Sequence, residues 1–454
     1  MTTDTAVSST APLRRNRRYL TWLISDTSKG LAAALFAFAV PLLTLMVTND
    51  PARAGIVGAA GLAVRAVTTL AGGVLADRHR RIALMTLGSV IGVMIAGGFT
   101  VLALTDALTF LALLIVAVLL AARTGLFDVA GESALKEVVP DGAMGRAQAA
   151  NQGRDAALQL AGGPLGGALL AAGAWVVAVV MTACHLVAAI TAWRLGRSAP
   201  DPGATRTGTG PDPTHPAHPA DPPAPEAVSG PAPNALAELR AGFAWLLSRT
   251  DLRGVLVVST IINLGFNAAL ATVIYALQQD GHSPAAIGWV SAGAGAAMLL
   301  GAVAAPMLVS RVRAGVLTIV GLTIAAAGAY TLALVDSVWA ITAVLAVSVL
   351  GVPALNAALM GYFMVATPTE LLGRANSASM VLGIGAMPLA PLIAGFGLAW
   401  VGREATIAVC AGLCAVAALL ALANRGLRAL PAESGWTAHA AQFDVSGAVA
   451  TPDR

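Results

Sequence analysis

Twelve apolar segments of membrane-spanning length constrain this chain more than any other feature of its sequence. A helix needs about 20 mainly apolar residues to cross the hydrocarbon core of a bilayer. Segments of that kind lie at roughly 20–47, 54–76, 82–104, 108–128, 154–174, 176–195, 254–277, 285–309, 314–335, 338–363, 379–399 and 404–423. The sequence therefore predicts an all-α integral membrane protein with twelve transmembrane helices.

The composition excludes an ordinary soluble protein. Hydrophobic residues make up 57% of the 454 residues and charged residues only 11%, whereas soluble domains carry about 25% charged residues. The net charge of +4 is spread among apolar segments and does not form the basic face that nucleic acid requires. Cys184, Cys410 and Cys414 lie inside apolar segments without a C-x-x-C pair, so we expect small buried side chains and predict neither a metal nor a cofactor.

Basic residues near the helix ends predict the orientation. The loops on one side contain Arg53 and Arg403 as their only bases. The loops on the other side collect Arg14, Arg15, Arg17, Arg18, Arg78, Arg80, Arg81, Lys136, Arg146, Arg194, Arg197, Arg311, Arg313, Arg374, Arg425 and Arg428. Because positive charge is retained in the cytoplasm, we predict a multi-pass protein of the cell membrane with both termini cytoplasmic.

A polar stretch divides the apolar segments into two groups of six. We predict a basic tail (1–19), a six-helix bundle (20–195), a linker (196–252), a second six-helix bundle (253–425) and a polar tail (426–454). Residues 198–233 hold 11 of the 24 prolines, a composition typical of a flexible linker. Asn234 is a suitable cap for an amphipathic helix over 235–249, which we expect to lie on the membrane surface.

The two groups of six repeat one another in sequence. Pro140, Gly145, Arg146 and Ala147 recur 228 positions later as Pro368, Gly373, Arg374 and Ala375. Gly72, Val74 and Ala76 recur as Gly301, Val303 and Ala305, although Pro306 follows where the first copy has Asp77. A parallel repeat of six helices is the architecture of one large class of secondary transporters, which hold the substrate between the two halves.

Ionisable residues inside the apolar segments need a physical reason, since each costs at least about 2.5–3.5 kcal/mol at the bilayer centre. Asp26 and Lys29 are three apart and share one face of the first helix. Arg123, Asp128 and Glu132 follow one another along the fourth segment, and Arg154 with Asp155 opens the fifth, shallow enough to be interfacial. Internal ion pairs or a charge relay would both explain them.

Arg65 stands at the middle of the second segment, too deep for its guanidinium to reach the membrane surface, so it needs a partner or a wet cavity. The second half offers only neutral candidates for such a cavity, Asn263, Asn267 and Asn356, and asparagines more often bond neighbouring helices. We therefore expect charge handling in the first half. Asp26, partly desolvated beside cations, is a candidate to change protonation between two conformations.

Three motifs resemble the major facilitator superfamily of secondary transporters. The stretch Gly72–Arg81, GGVLADRHRR, resembles the loop between the second and third helices of that family, with Arg80 in place of a glycine. Leu119-x-x-x-Arg123 resembles its fourth-helix motif. Residues 162–167, GGPLGG, are similar to the glycine-proline motif of drug:proton antiporters, with Gln159 at an expected glycine. Residues 135–169 and the helix before the seventh span resemble the macrolide-efflux and siderophore-exporter branch.

The resemblance implies roles for these residues. Gly73, Asp77, Arg78 and Arg81 would gate the cytoplasmic side, with Asp77 facing the eleventh helix and an arginine pairing with Asp128 or Glu132. Arg123 would take part in proton transfer. Gly162, Gly163, Pro164 and Gly167 would let helices approach and bend. The implied function is proton-coupled export of small, partly apolar molecules by a protein that we expect to be a monomer in the bilayer.

Other functions remain open at this point. An importer of a nutrient or an anionic metabolite has the same fold, and Arg65 suits an anion. A membrane sensor without transport activity is a further alternative. An ATP-driven subunit or a membrane enzyme is disfavoured, because the sequence contains no G-x-x-x-x-G-K-[ST], H-E-x-x-H or G-x-S-x-G motif.

Overall fold

The computed structural model describes residues 13–139, 143–198, 235–368 and 385–443, together with positions 371, 375, 379, 381 and 383. Within these ranges every regular element is helical, and ten helices are long and apolar enough to cross a membrane. This confirms the predicted all-α membrane fold. Residues 199–234 of the predicted linker, with the cap Asn234, the first 12 residues and the tail after 443 lie outside the described residues.

The first bundle contains six long helices. They are α1 (Arg17–Thr48), α2 (Pro51–Arg78), α3 (Arg81–Leu104), α4 (Phe110–Val138), α5 (Met144–Ala172) and α6 (Ala174–Arg197). The boundary between α5 and α6 is a single residue, Gly173, whose φ of +136° is a conformation that side chains disfavour. The predicted segments 154–174 and 176–195 place this break two residues later, at 175.

A short helix, α7 (Ala235–Ser248), precedes the second bundle. The bundle itself contains α8 (Thr250–Gln279), α9 (Pro284–Arg311), α10 (Ala314–Leu332), α11 (Val338–Leu350), α12 (Val352–Ala366), α13 (Leu389–Trp400) and α14 (Gly402–Ala423). Helices α11 and α12 form one span that is interrupted at Gly351, because Pro353 removes a backbone donor from the next turn. Helix α13 covers most of the eleventh predicted span, and positions 380, 382 and 384 before it lie outside the described residues.

Two helices extend well beyond their apolar segments. Helix α4 continues ten residues past the predicted end at 128, and α5 begins at Met144, ten residues before the predicted start. The prediction that Arg154 and Asp155 open the fifth helix is therefore wrong. The extensions contain polar residues that are exposed, such as Glu132, Lys136 and Arg146, and hydropathy alone therefore does not reveal these helical turns.

The two bundles meet along two glycine seams. We call these the α5–α9 seam and the α2–α13 seam, after the helices that form them. A Cβ built on Gly167 of α5 would lie 2.3 Å from the carbonyl oxygen of Pro284 in α9. A Cβ on Gly395 of α13 would lie 2.4 Å from the carbonyl oxygen of Pro51 in α2. Since Gly395 follows Gly167 by 228 positions, the seams are two copies of one contact.

Both seams lie at one end of the molecule, and the helix starts there are built alike. Asp50 accepts the N–H of Ala52 at 2.9 Å and precedes Pro51, while Ser283 accepts the N–H of Ala286 at 3.2 Å and precedes Pro284. A capping side chain followed by proline fixes the first turn of a helix. We call this end, with its turns at 49–50, 280–283 and 401, the far end. The end with the α2–α3 turn and the start of α1 is the basic end.

Burial agrees with closure of the far end. The largest apolar cluster takes buried residues from both bundles, among them Leu42 and Leu43 from the end of α1 and Leu277 and Ile287 from α8 and α9. Large apolar side chains are exposed around the outside, including Met94, Val303 and Trp339 at 73%, 83% and 80%. Such a surface suits lipid, not water.

The chain after α14 folds back under the second bundle at the basic end. Helices α15 (Arg425–Ala429) and α16 (Trp436–Ala441) follow, and the buried Trp436 packs on Gly361 of α12. The N–H groups of Ala314 and Gly315 donate to the carbonyls of Pro431 and Leu430 at 3.1 and 3.2 Å. Part of the predicted polar tail is thus packed structure.

We predict that the seam glycines tolerate no side chain. Gly167→Ala and Gly395→Ala place a methyl group against a rigid backbone carbonyl, and overpacking of this kind costs about 1–3 kcal/mol. The midpoint of thermal unfolding of the purified protein should fall for each. Gly412→Ala in α14 is the matched control, since a Cβ there meets no described atom within 4 Å. Equal midpoints for Gly167→Ala and Gly412→Ala would contradict the seam.

Candidate functional site: a central cavity and a buried ion network

A cavity of about 360 Å³ lies between the bundles, on the basic side of the seams. Helices α1, α2 and α4 line it from the first bundle, and α8 and α13 from the second. Gly58, Tyr275 and Pro391 of the α2–α13 seam border it toward the far end. Its size falls within the range of about 300–1,000 Å³ that is typical of small-molecule sites.

Arg65 is the charged residue of this cavity wall among the described lining residues. It stands near the middle of the 28-residue helix α2, about 20 Å from either end at 1.5 Å per residue. Close packing fixes its backbone, because a Cβ on Gly125 of α4 would lie 2.8 Å from the Arg65 carbonyl oxygen. The prediction that Arg65 faces a cavity therefore agrees with its position.

The three predicted asparagines are not together. Asn267 lines the cavity, and its Nδ2 donates to the carbonyl of Asn263 at 2.8 Å. Asn263 is exposed one turn nearer the basic end, and Asn356 is exposed on α12. Neither belongs to the cavity lining that the structure describes. Their role in substrate contact stays a prediction.

A network of charged side chains lies inside the first bundle, about 15 Å from the basic end by helix rise. Lys29 Nζ of α1 is 2.9 Å from Asp26 Oδ1, as the spacing of the two residues predicts. Asp26 Oδ2 is 2.7 Å from Arg154 Nη2 of α5. The exposed fractions of the Lys29 and Asp26 side chains are only 3% and 11%. One carboxylate thus bridges two cations from two helices.

Helix α4 supplies the other half of the network. Arg123 Nη2 is 3.0 Å from Asp128 Oδ1, and the same oxygen is 3.6 Å from Lys29 Nζ. The Nε of Arg123 donates to the carbonyl of Gly88 in α3 at 2.9 Å. Lys29 therefore links Asp26 to Asp128, and the network joins α1, α3, α4 and α5.

Two uncharged residues, a glycine and a tryptophan, pack against these charged side chains. A Cβ on Gly131 of α4 would lie 2.7 Å from Lys29 Nζ and 3.1 Å from Asp26 Oδ1. The indole N–H of the buried Trp22 donates to the Gly131 carbonyl at 2.9 Å, and the Arg154 guanidinium lies 5.6 Å from the Trp22 ring centroid. Sequence reasoning missed Trp22 and Gly131, because both read as ordinary apolar positions.

The rim of the network is exposed. Asp155 pairs with Arg154 at 2.7 Å, and its side chain is 54% exposed. Glu132 is exposed on α4, and no ion pair joins it to another described residue. The predicted members of the charge relay thus divide into an ion-paired group of Asp26, Arg123 and Asp128, in which the Asp128 side chain is 29% exposed, and a separate Glu132.

The predicted loop contacts are different in the structure. Arg81 Nη1 lies 4.0 Å from Glu137 and donates to the carbonyl of Ser133 at 3.2 Å, so it pairs with neither Asp128 nor Glu132. The reason is depth, since Glu137 ends α4 at the level of Arg81 while Asp128 is about 13 Å farther inside.

The other loop residues stay predictions as gates. Asp77 and Arg78 are exposed, and between 379 and 384 the structure describes only positions 379, 381 and 383 of the eleventh span. The close approach is at Gly72, where a Cβ would lie 2.2 Å from the Gly125 carbonyl oxygen; at Gly73 it would meet no described atom within 4 Å.

The glycine-proline motif of α5 has two faces. Gly162 and Gly166 pack on Ala34 and Phe38 of α1. Gly163 and Gly167 pack on α9, where Gly288 approaches Gly163 and Pro164 in return. Helix α5 is thereby held between the buried network and the other bundle. The expected close approach of helices at this motif agrees with the structure.

The geometry matches known membrane proteins. The chain matches the Major Facilitator Superfamily over residues 26–252 and 255–446. The structure of a bacterial homologue of the iron transporter ferroportin, in an inward-facing state, has a TM-score of 0.64 at 15% identity, covering 90% of this chain and 98% of that one. No curated protein matches the chain.

Two other solved structures are similar. The nucleoside transporter NupG has a TM-score of 0.62 at 14% identity, with 89% of this chain and 100% of that chain covered. A bacterial metal transporter has a TM-score of 0.59 at 13% identity, with 90% and 98% covered. At these identities the likeness concerns the fold alone.

Two six-helix bundles around a central cavity define a multi-pass membrane transporter. The particular family follows from the match along nearly the whole chain: this protein belongs to the Major Facilitator Superfamily. Its substrates are accordingly small molecules.

We predict that Lys29 is essential for stability because two carboxylates depend on it. Lys29→Met should lower the free energy of unfolding by about 3–5 kcal/mol, the usual cost of breaking a buried ion pair. Adding Asp26→Asn should restore part of the loss. Arg53→Met breaks an exposed pair with Asp50 and should cost no more than about 1 kcal/mol. A double variant less stable than Lys29→Met would argue against the pairing. Thermal unfolding in detergent compares the wild type with Lys29→Met, the double variant and Arg53→Met.

Proposed function

We propose that the protein is a proton-coupled exporter of small, partly apolar molecules, of the drug, antibiotic or siderophore type. The closed far end and the cavity beneath it are the arrangement expected of a conformation that receives substrate from the cytoplasm. The lining supports the substrate class, because aromatic and aliphatic residues such as Phe36, Leu270 and Ile274 predominate.

The proposal of proton coupling rests on the contacts of the Asp26 carboxylate with Lys29 and Arg154. Two cations close to a carboxylate favour its ionised form. If α5 moved away from α1, Asp26 would lose the Arg154 contact while remaining desolvated, and protonation would become more favourable. Uptake and release of a proton would then follow the position of α5.

Helix α5 also supplies a mechanical connection to the second bundle. Arg154 lies on α5 near the basic end, and the same helix forms the α5–α9 seam through Gly163 and Gly167. Rocking of the bundles about the seams is proposed to shift α5 relative to α1 within the first bundle, and this shift would change the Asp26–Arg154 contact. Asp77 and the α2–α3 turn are proposed to close the basic end in the opposite conformation, a role that the family resemblance implies.

Import of an anionic metabolite is the second candidate, and the position of Arg65 in the cavity favours it. Everted vesicles with an imposed proton gradient separate the two directions. Accumulation inside everted vesicles, driven by an acidic interior, supports proton antiport and export, whereas loss of preloaded substrate under the same gradient supports import.

The Asp26→Asn variant tests the coupling directly. Asparagine keeps the shape of the side chain but carries no proton, so gradient-driven accumulation in everted vesicles should fall to the level of vesicles without the protein. Exchange of labelled for unlabelled substrate needs no net proton movement and should persist. The substrate is chosen beforehand from a resistance panel in cells that lack or overproduce the protein.

The matched control is Asp155→Asn, which removes a carboxylate from the exposed rim of the same network. It should keep gradient-driven accumulation. Unchanged accumulation by Asp26→Asn would mean that another group carries the proton.

A further inference from the structure

Of the four cations deep within the first bundle, Arg65 is the one for which the structure describes no counter-ion, and its side chain is exposed on the cavity wall. The other three, Lys29, Arg123 and Arg154, each lie within 4.0 Å of a carboxylate. No carboxylate among the described residues comes within that distance of the Arg65 guanidinium. Asp26 and Asp128, the acidic residues at comparable depth, are already engaged by the other cations.

The described cavity wall contains no other charge. Its neutral polar side chains are Thr124, Asn267 and Tyr275, which lie on α4 and α8. The remaining lining is apolar. A guanidinium stays ionised under all physiological conditions, so a permanent positive charge faces this space at mid-membrane depth.

Such a charge is stabilised by water when the cavity is open to the cytoplasm. When the bundles close around a substrate, that water is displaced, and burial of an unpaired charge is costly. A substrate with a negative group at Arg65 would replace the lost hydration with a charge-assisted, two-pronged hydrogen bond. A substrate with a positive group at the same place would add repulsion.

We propose that the cavity selects amphipathic organic anions, in which a carboxylate contacts Arg65 and an apolar body lies against Phe36, Leu270 and Ile274. The inference rests on the proposed function only in taking this cavity as the substrate site. It names the substrate class and is independent of proton coupling and of the direction of transport.

Binding to the purified protein in detergent tests the class. The probes are 4-phenylbutanoate, 4-phenylbutanamide and 4-phenylbutylamine, together with the carboxylate, amide and amine of the corresponding naphthyl series. Within each series only the head group changes. Affinity is read from the concentration dependence of thermal stabilisation, since a ligand that binds the folded state raises the unfolding midpoint.

The wild-type protein should bind the better carboxylate about 10- to 100-fold more tightly than its amide, the range expected of one charge-assisted hydrogen bond. Arg65→Gln should remove this preference. Arg65→Lys should keep part of it, because lysine retains the charge but not the planar fork. Arg53→Gln is the matched control, an arginine of the same helix outside the cavity lining, and should keep the full preference.

The unliganded variants distinguish a ligand contact from a structural role. If Arg65 has no counter-ion until a substrate anion binds, Arg65→Gln removes an uncompensated charge. The variant should then unfold at the same temperature as the wild type or higher. A clearly lower midpoint would assign Arg65 to a structural ion pair and overturn the proposal.

Three further results would overturn it: no binding of either carboxylate, equal or tighter binding of an amine, and a carboxylate preference that survives in Arg65→Gln. These results leave proton-coupled export intact if vesicles still transport a neutral or cationic compound. Conversely, a carboxylate that binds through Arg65 but is not driven by a proton gradient would uphold this inference and contradict the proposed function.

Discussion

Close approach of glycine to a backbone carbonyl is the contact on which the arrangement of the two bundles depends. Gly167 meets the Pro284 carbonyl and Gly395 meets the Pro51 carbonyl, at positions that the internal repeat makes equivalent. Without a Cβ, two helices approach closely enough for dispersion and weak Cα–H contacts to act over a long surface. In a membrane this matters because lipid offers no hydrophobic drive toward association. The cavity exists on one side of the seams because the seams close the other.

The charges are distributed unequally over this symmetric frame. The first bundle contains the buried network of Asp26, Lys29, Arg123, Asp128 and Arg154, whereas the described part of the second bundle has neutral polar groups at the cavity. Buried ion pairs rarely add stability compared with apolar packing, and we propose that these pairs change partners between conformations. Helix α5 connects the two systems, since Arg154 belongs to the network and Gly163 and Gly167 to a seam.

Much of the fold could be predicted from the sequence because a bilayer demands long apolar helices and a repeat reveals the two halves. The same rule failed for the start of α5 and the end of α4, where exposed polar residues such as Arg146 and Lys136 continue the helices beyond their apolar segments. The pair Asp26–Lys29 followed from helical spacing, but the contact between Asp26 and Arg154 joins residues 128 positions apart and depends on tertiary packing. The role of Trp22 and the partner Glu137 of Arg81 were not predictable for the same reason.

The central claim is that the seams act as a pivot between two conformations, closed at opposite ends. Distances between paired spin labels test it most directly, after replacement of the three native cysteines. One pair at Arg53 and Val401 spans the far end, and another at His79 and Arg313 spans the basic end. In lipid nanodiscs, a change of pH or addition of substrate should lengthen one distance while it shortens the other. Changes of the same sign at both ends, or a far-end distance that never varies, would contradict the account.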